Sequence, residues 1–142
     1  MKIARISTVL LLVAAVIAIC SAAFAAQQPE QAAESAATSW LALIDNGNYA
    51  QSWDEASSLF KSAVTKQQWQ SQLEAARPPL GKVVTRSLKS AKYATSLPGV
   101  PDGQYVVIQY DTRFEQKQSA VETLTMMLDK DGQWRAAGYF IR

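Results

Sequence analysis

Leu97–Phe114 reads LPGVPDGQYVVIQYDTRF. Pro98, Gly99, Pro101 and Gly103 make a turn, and from Tyr105 onward apolar and polar residues alternate, the mark of a strand buried on one side. The even positions Val106, Ile108, Tyr110, Thr112 and Phe114 form one mainly apolar face. The odd positions Tyr105, Val107, Gln109, Asp111 and Arg113 are more mixed. Such a strand needs partners beside it and a cover over its apolar face.

The partners lie on both sides in sequence. Leu80–Ala94 favours strand through Val83, Val84, Thr85, Leu88 and Tyr93. Its alternation is broken, because Val83 and Val84 are adjacent and both faces carry lysine or arginine; a bulge or an edge position accounts for that. Glu115–Ser119 reads as a polar turn, and Ala120–Asp129 alternates again with Leu124, Met126 and Leu128 on one side. Asp129-Lys130-Asp131-Gly132 is a hairpin signal, with Trp134–Ile141 as the return strand. That string lacks the oxygen-ligand spacing of an EF-hand and reads as a turn.

The cover comes from upstream. Ala33, Ala36, Ala37, Trp40, Leu41, Leu43 and Ile44 recur at helical spacing, and Asp45-Asn46-Gly47-Asn48 stops the helix. Tyr49–Phe60 reads as a second helix with Tyr49, Trp53, Ala56, Leu59 and Phe60 inward. The third has the sharpest local signal. Thr65 and Gln68 have capping-box spacing, Val64 and Trp69 are placed for a hydrophobic staple, and Trp69, Leu73 and Ala76 continue the stripe. Arg77-Pro78-Pro79 ends it. The expected fold is therefore α+β: three N-terminal helices packed on one face of a curved antiparallel sheet of about four strands. Trp40, Trp53, Trp69 and Trp134 all fall on faces expected to be buried, with Trp53 and Trp134 also placed to border a pocket mouth.

At 142 residues the chain has room for one such domain behind a leader. Lys2 and Arg5, the apolar run Val9–Ile19 and the small residues around Ala23-Phe24-Ala25 follow the order of a secretory signal peptide. The expectation is a signal peptide over 1–25 and one α+β domain over 26–142, exported to the periplasm or secreted. Acylation at Cys20 and an uncleaved anchor are the alternatives; after cleavage no stable membrane insertion is expected. Cleavage leaves 12 basic against 12 acidic residues, so the basic excess of a general nucleic-acid binder is missing. It also removes Cys20, the single cysteine, and histidine is absent throughout. Disulfides, thiolate catalysis and the commonest metal ligands go with them, so neither a metal site nor a cofactor is expected.

Several spaced motifs carry a family resemblance: WLALIDNGNYAQSW from Trp40, Trp69 followed by Arg77-Pro78-Pro79-Leu80-Gly81, the Pro/Gly turn at 97–103, Glu122-Thr123, and Asp131-Gly132-Gln133-Trp134 before a closing Gly138-Tyr139-Phe140-Ile141. Together they resemble the bacterial exported family labelled domain of unknown function 4019, from about Ala33 to the C-terminus. The resemblance implies an exported bacterial protein and brings no activity with it. The element order also resembles the nuclear-transport-factor-2-like, cystatin-related cone fold, and fold does not settle function.

Two functional classes follow. The first is a non-catalytic envelope module that binds a small ligand or a protein partner. Its candidate ligand residues are Tyr105, Gln109, Asp111 and Arg113, on the odd face of the Tyr105–Phe114 strand. The second is a small isomerase-like or dehydratase-like enzyme using a pocket carboxylate, Asp111 or Glu122, with Tyr105 or Tyr110 as donor. No catalytic residue is assigned, since carboxylates and tyrosines on strands are ordinary. Glu122 interrupts an apolar face, so a structural ion pair with Arg86 or Arg113 on another strand is expected. Arg77, Lys82, Arg86, Lys89 and Lys92 form a run with no acid between Ala75 and Val100, whereas Ala26–Phe60 holds five acids and no base. That polarity ties helices to sheet or keeps the surface soluble, or it docks an anionic partner. Tyr105 and Val107, read as water-facing, leave a homodimer through the outer sheet face as a further reading.

Overall fold

A computed structural model describes residues 27–142 of the chain; the expected signal peptide lies outside the described residues. Helix α1 is Pro29–Asp45, α2 Tyr49–Asp54, α3 Ser58–Ala63 and α4 Lys66–Ala76, followed by a 3-10 turn at Pro78–Leu80. The strands are β1 Val83–Ala94, β2 Tyr105–Phe114, β3 Lys117–Leu128 and β4 Trp134–Ile141. They form one antiparallel sheet in the order β1-β2-β3-β4, so β2 is central and both termini of the order are edges.

The helices cover one face of this sheet, with α1 in contact with all four strands. Val106, Ile108 and Tyr110 of β2 meet Leu124 and Met126 of β3, Ala136 of β4 and the inner face of α1 in one hydrophobic cluster. Alternation along β2 therefore places its apolar side against the helices. β1 is an edge strand and also carries two register shifts, between Val83 and Thr85 and between Leu88 and Ser90. Both explanations for its broken alternation operate at once.

The second helix differs from the expectation. The span Tyr49–Phe60 divides into α2 and α3, because Ser57 stops the first and starts the next. Its backbone N–H donates to the Ala136 carbonyl of β4 at 2.8 Å, and its hydroxyl accepts from the Phe60 N–H at 3.1 Å. The sheet takes an N–H that a continuous helix would have used internally. α4 starts with the expected capping box between Thr65 and Gln68. β3 begins at Lys117, three residues before its apolar alternation, so the turn is shorter than Glu115–Ser119. This end of the hairpin is largely exposed, and strand there has no buried face to imprint a pattern. Gly81 has φ +75°, and a Cβ there would lie 2.9 Å from the Glu115 Cβ, so this crossing of the β1 approach over the hairpin requires glycine.

Candidate functional site

Glu122 is fully buried at the centre of β3. Its Oε1 accepts from Arg86 Nε at 2.7 Å and from the Thr112 hydroxyl at 2.6 Å. Its Oε2 accepts from another Arg86 nitrogen at 3.1 Å and from the Tyr139 hydroxyl in a short hydrogen bond. A carboxylate has about four lone-pair positions, and this arrangement fills them. Register brings the donors in: Tyr110 lies opposite Glu122 across β2 and β3, Thr112 is the next β2 residue on the same face, and Arg86 faces Thr112 across β1 and β2. Tyr139 arrives from β4.

The cluster continues outward. The rest of the Arg86 guanidinium donates to Asp45, the last residue of α1, at 2.8 and 3.1 Å. Asp45 also accepts from Arg77 at 3.2 Å, and Arg77 donates to the Gly81 carbonyl at 2.5 Å while lying 4.6 Å over the Phe114 ring. Two arginines and two carboxylates thus join the C-terminal ends of α1 and α4 to all four strands. Burial by itself would lower the Arg86 pKa; the hydrogen bonds and charges of Asp45 and Glu122 outweigh it and hold the guanidinium above its ordinary value. The Tyr139 phenol is raised by burial first, then by the charge and hydrogen bond of Glu122.

The Tyr139 shift has a testable sign. An ordinary tyrosine ionises near 10.0, and in the folded chain Tyr139 ionises only above that. Its contribution is complete below pH 10 and is lost as pH rises, because the unfolded chain releases this proton first. Folding stability should fall above pH 10, and Tyr139→Phe should flatten that fall by about 1.4 kcal/mol per pH unit. Urea unfolding at stepped alkaline pH reads both slopes. Equal slopes in the two proteins would exclude Tyr139 as the source.

The residues singled out in sequence separate into distinct places. Arg86 meets Glu122, whereas Arg113, the other candidate partner, is exposed on the opposite face and does not reach it. The side chain of an odd β2 residue cannot cross the sheet to a site on the even side. Gln109, Asp111 and Arg113 share the outer face. Asp111 and Arg113 line a shallow polar depression of about 350 Å³ with Thr85, Ser87 and Gln118. Asp111 lies 3.5 Å from Lys89, both about half exposed, which is a weak surface pair. Gln109 Nε2 donates to the Thr123 hydroxyl at 3.4 Å. Tyr105 does not join them. It is 1% exposed, its hydroxyl donates to the Pro101 carbonyl at 2.6 Å, and Gly103 packs against its ring. The turn before β2 folds back onto the ring, so Tyr105 is neither a water-facing ligand group nor a reason for dimerisation. Strand rise also separates Tyr105 from Arg113 by roughly 26 Å.

The basic run divides as well. Arg77 and Arg86 turn inward to Asp45, while Lys82, Lys89 and Lys92 are exposed. Asp45, Arg77, Thr112 and Tyr139 join Glu122 without a signal in the sequence: Asp45 reads as a helix stop, and Tyr139 carries the strand pattern alone. Among the described residues no group of histidine, cysteine, aspartate and glutamate side chains is arranged to hold a metal ion. Nor is any described helix long and apolar enough to cross a membrane.

A second feature adjoins the cluster. Between α4 and the end of β4 runs a groove of about 390 Å³. Its apolar walls include Trp69, Leu73, Ala76 and Leu80, Tyr139 reaches it from the sheet, and Lys117 and Arg142 supply positive charge. Tyr139 therefore connects the groove to Glu122.

Helices on one face of a four-stranded antiparallel sheet, pinned by a saturated buried carboxylate and bordered by an apolar groove, define the class: an α+β domain with a polar clamp inside its core. The chain belongs to the family described as "Protein of unknown function (DUF4019)", whose model matches residues 36–139. That span contains the whole Asp45–Arg77–Arg86–Glu122 cluster. No curated protein matches the chain in sequence.

Proposed function

We propose that this protein is an exported, non-catalytic envelope module that binds a ligand with an apolar body in the groove between α4 and β4. The observation that carries the reading is the groove itself: about 390 Å³, walled by Trp69, Leu73, Ala76 and Leu80, with cations but no acidic side chain in its lining. A concave apolar site with a few polar groups at its margin is the usual form of a small-ligand or peptide site. Export rests on the leader composition described above.

The groove replaces the odd face of β2 as the recognition surface, since Tyr105 is covered and the remaining depression there is shallow and polar. The enzyme reading lacks an available base. All acceptor positions of Glu122 are engaged, and Asp111 stands exposed to water beside Lys89 on the outer face, outside any apolar pocket.

Ala76 is exposed and lines the groove, so Ala76→Phe narrows it at a helix-propensity cost of only about 0.5 kcal/mol. Wild-type protein isolated from its own envelope fraction should carry a bound species in native mass spectrometry that the variant has lost. The same bound species in both proteins, or none in the wild type, would count against the groove.

A further inference from the structure

We propose that the groove takes an extended, acidic peptide segment as a fifth strand on the open edge of β4. The inference rests on the groove reading above and narrows it to one ligand class. β4 is the last strand of the sheet. Val121 and Arg142 exchange both backbone hydrogen bonds, at 3.1 and 3.0 Å, which marks a hydrogen-bonded pair of the antiparallel ladder. Alternation then turns the N–H and C=O of Phe140 toward β3 and those of Tyr139 and Ile141 away from it. Among the described residues no backbone group pairs with Tyr139 or Ile141 on that outward side.

The first half of the same edge is closed, because the Ala136 carbonyl accepts from the Ser57 N–H at 2.8 Å. The open half begins where the groove begins, and Tyr139 and Ile141 both line it. Gly138 to Arg142 spans about 14 Å, enough for a segment of a few residues. The opposite wall is α4, whose Trp69, Leu73 and Ala76 can receive every second side chain of an added strand.

The two sheet edges differ in their protection. β1 is protected in the ordinary manner, with two register shifts and exposed Lys89 and Lys92. The open half of β4 has no bulge, proline or lysine between Gly138 and Ile141, and the strand's one irregularity, the unpaired Ala137 opposite Thr125/Met126, lies just before it. An unguarded edge beside an apolar groove is suited to pairing. The Lys117 and Arg142 side chains, with no acidic side chain in the lining, select an occupant bearing a carboxylate, from its terminus or an acidic side chain.

The test is selection of a phage-displayed library of random heptapeptides with free C-termini against the purified chain, with decanoate as a second probe. An enriched peptide should shift the amide resonances of Tyr139 and Ile141. N-methylation of its alternate backbone amides should weaken it about tenfold or more, and so should conversion of its carboxylates to amides. Amidating the terminus and the side chains separately identifies which carboxylate is read. Ile141→Pro removes an outward N–H that the β3 ladder does not use, and should abolish binding with the melting temperature little changed. If that variant unfolds, the N-methylated peptides decide alone. Equal binding of methylated and unmethylated peptide overturns strand addition. Decanoate shifting Trp69 and Leu73 while no peptide enriches overturns the peptide inference and leaves the groove reading standing. Neither probe binding overturns both.

Discussion

Replacing Glu122 by glutamine is expected to cost about 3–5 kcal/mol of folding stability, the range for breaking a buried ion pair from one side. Glu122 is fully buried, and the Arg86 side chain is only 18% exposed. Glutamine keeps the shape and one acceptor oxygen, but in either orientation its NH2 group meets an Arg86 N–H where the carboxylate accepted. A donor facing a donor leaves buried groups without partners, in addition to the lost charge. Urea unfolding of Glu122→Gln reads the loss directly. A change below about 1 kcal/mol, the scale of one neutral hydrogen bond, would mean that Glu122 is not the pivot of this cluster.

A double-mutant cycle separates the pair from its surroundings. Arg86→Met strands a buried carboxylate and should cost a similar amount. Arg86→Met combined with Glu122→Gln removes both charges, so the double variant should be no less stable than the weaker of the two single variants. Additive losses would show that the two residues act independently. Asp45 keeps Arg77 as a partner throughout, which limits the disturbance at the helix ends.

The layout of the fold was legible because it is carried by periodic apolar positions. Val106, Ile108 and Tyr110 on one side of β2, and Trp69 and Leu73 on α4, record burial along the chain at the spacing of their elements. The cluster was legible only in part. Glu122 was conspicuous as an acid on an apolar face, and strand neighbours were the natural donors, so Arg86 was within reach of sequence reasoning. The choice between Arg86 and Arg113 depends on which sheet face each occupies, and two register shifts in β1 blurred its parity. Asp45 and Tyr139 carry no local sign of their role, since contacts between residues far apart in sequence leave no period. Tyr105 misled for the opposite reason. Its parity is that of the solvent face, but a loop folded back to cover it, and loop paths are not written in alternation.

The break between α2 and α3 yields the second large effect. A helix that ends at Asp54 leaves carbonyls without intrahelical partners. The Trp40 indole N–H from α1 donates to the Ser52 carbonyl at 2.8 Å, and the Trp69 indole N–H from α4 donates to the Ser52 hydroxyl at 2.9 Å. Ser52 is fully buried, so neither atom has water as a substitute. Trp53 acts likewise at the end of α3, donating to the Val64 carbonyl at 2.8 Å. Trp40 is also a packing centre, 6.1 Å from the Trp69 ring and 5.7 Å from the Tyr139 ring. Trp40→Ala should therefore cost about 3–5 kcal/mol through the cavity it opens. Trp40→Phe keeps most of the volume and removes the donor, and should cost about 1–3 kcal/mol for the unsatisfied Ser52 carbonyl. The difference between the variants measures packing, and the phenylalanine loss measures the cap. If Trp40→Phe is as stable as the wild type, the indole bond does not hold the end of α2, and the helix break must rest on Ser57 and its bond to Ala136 alone.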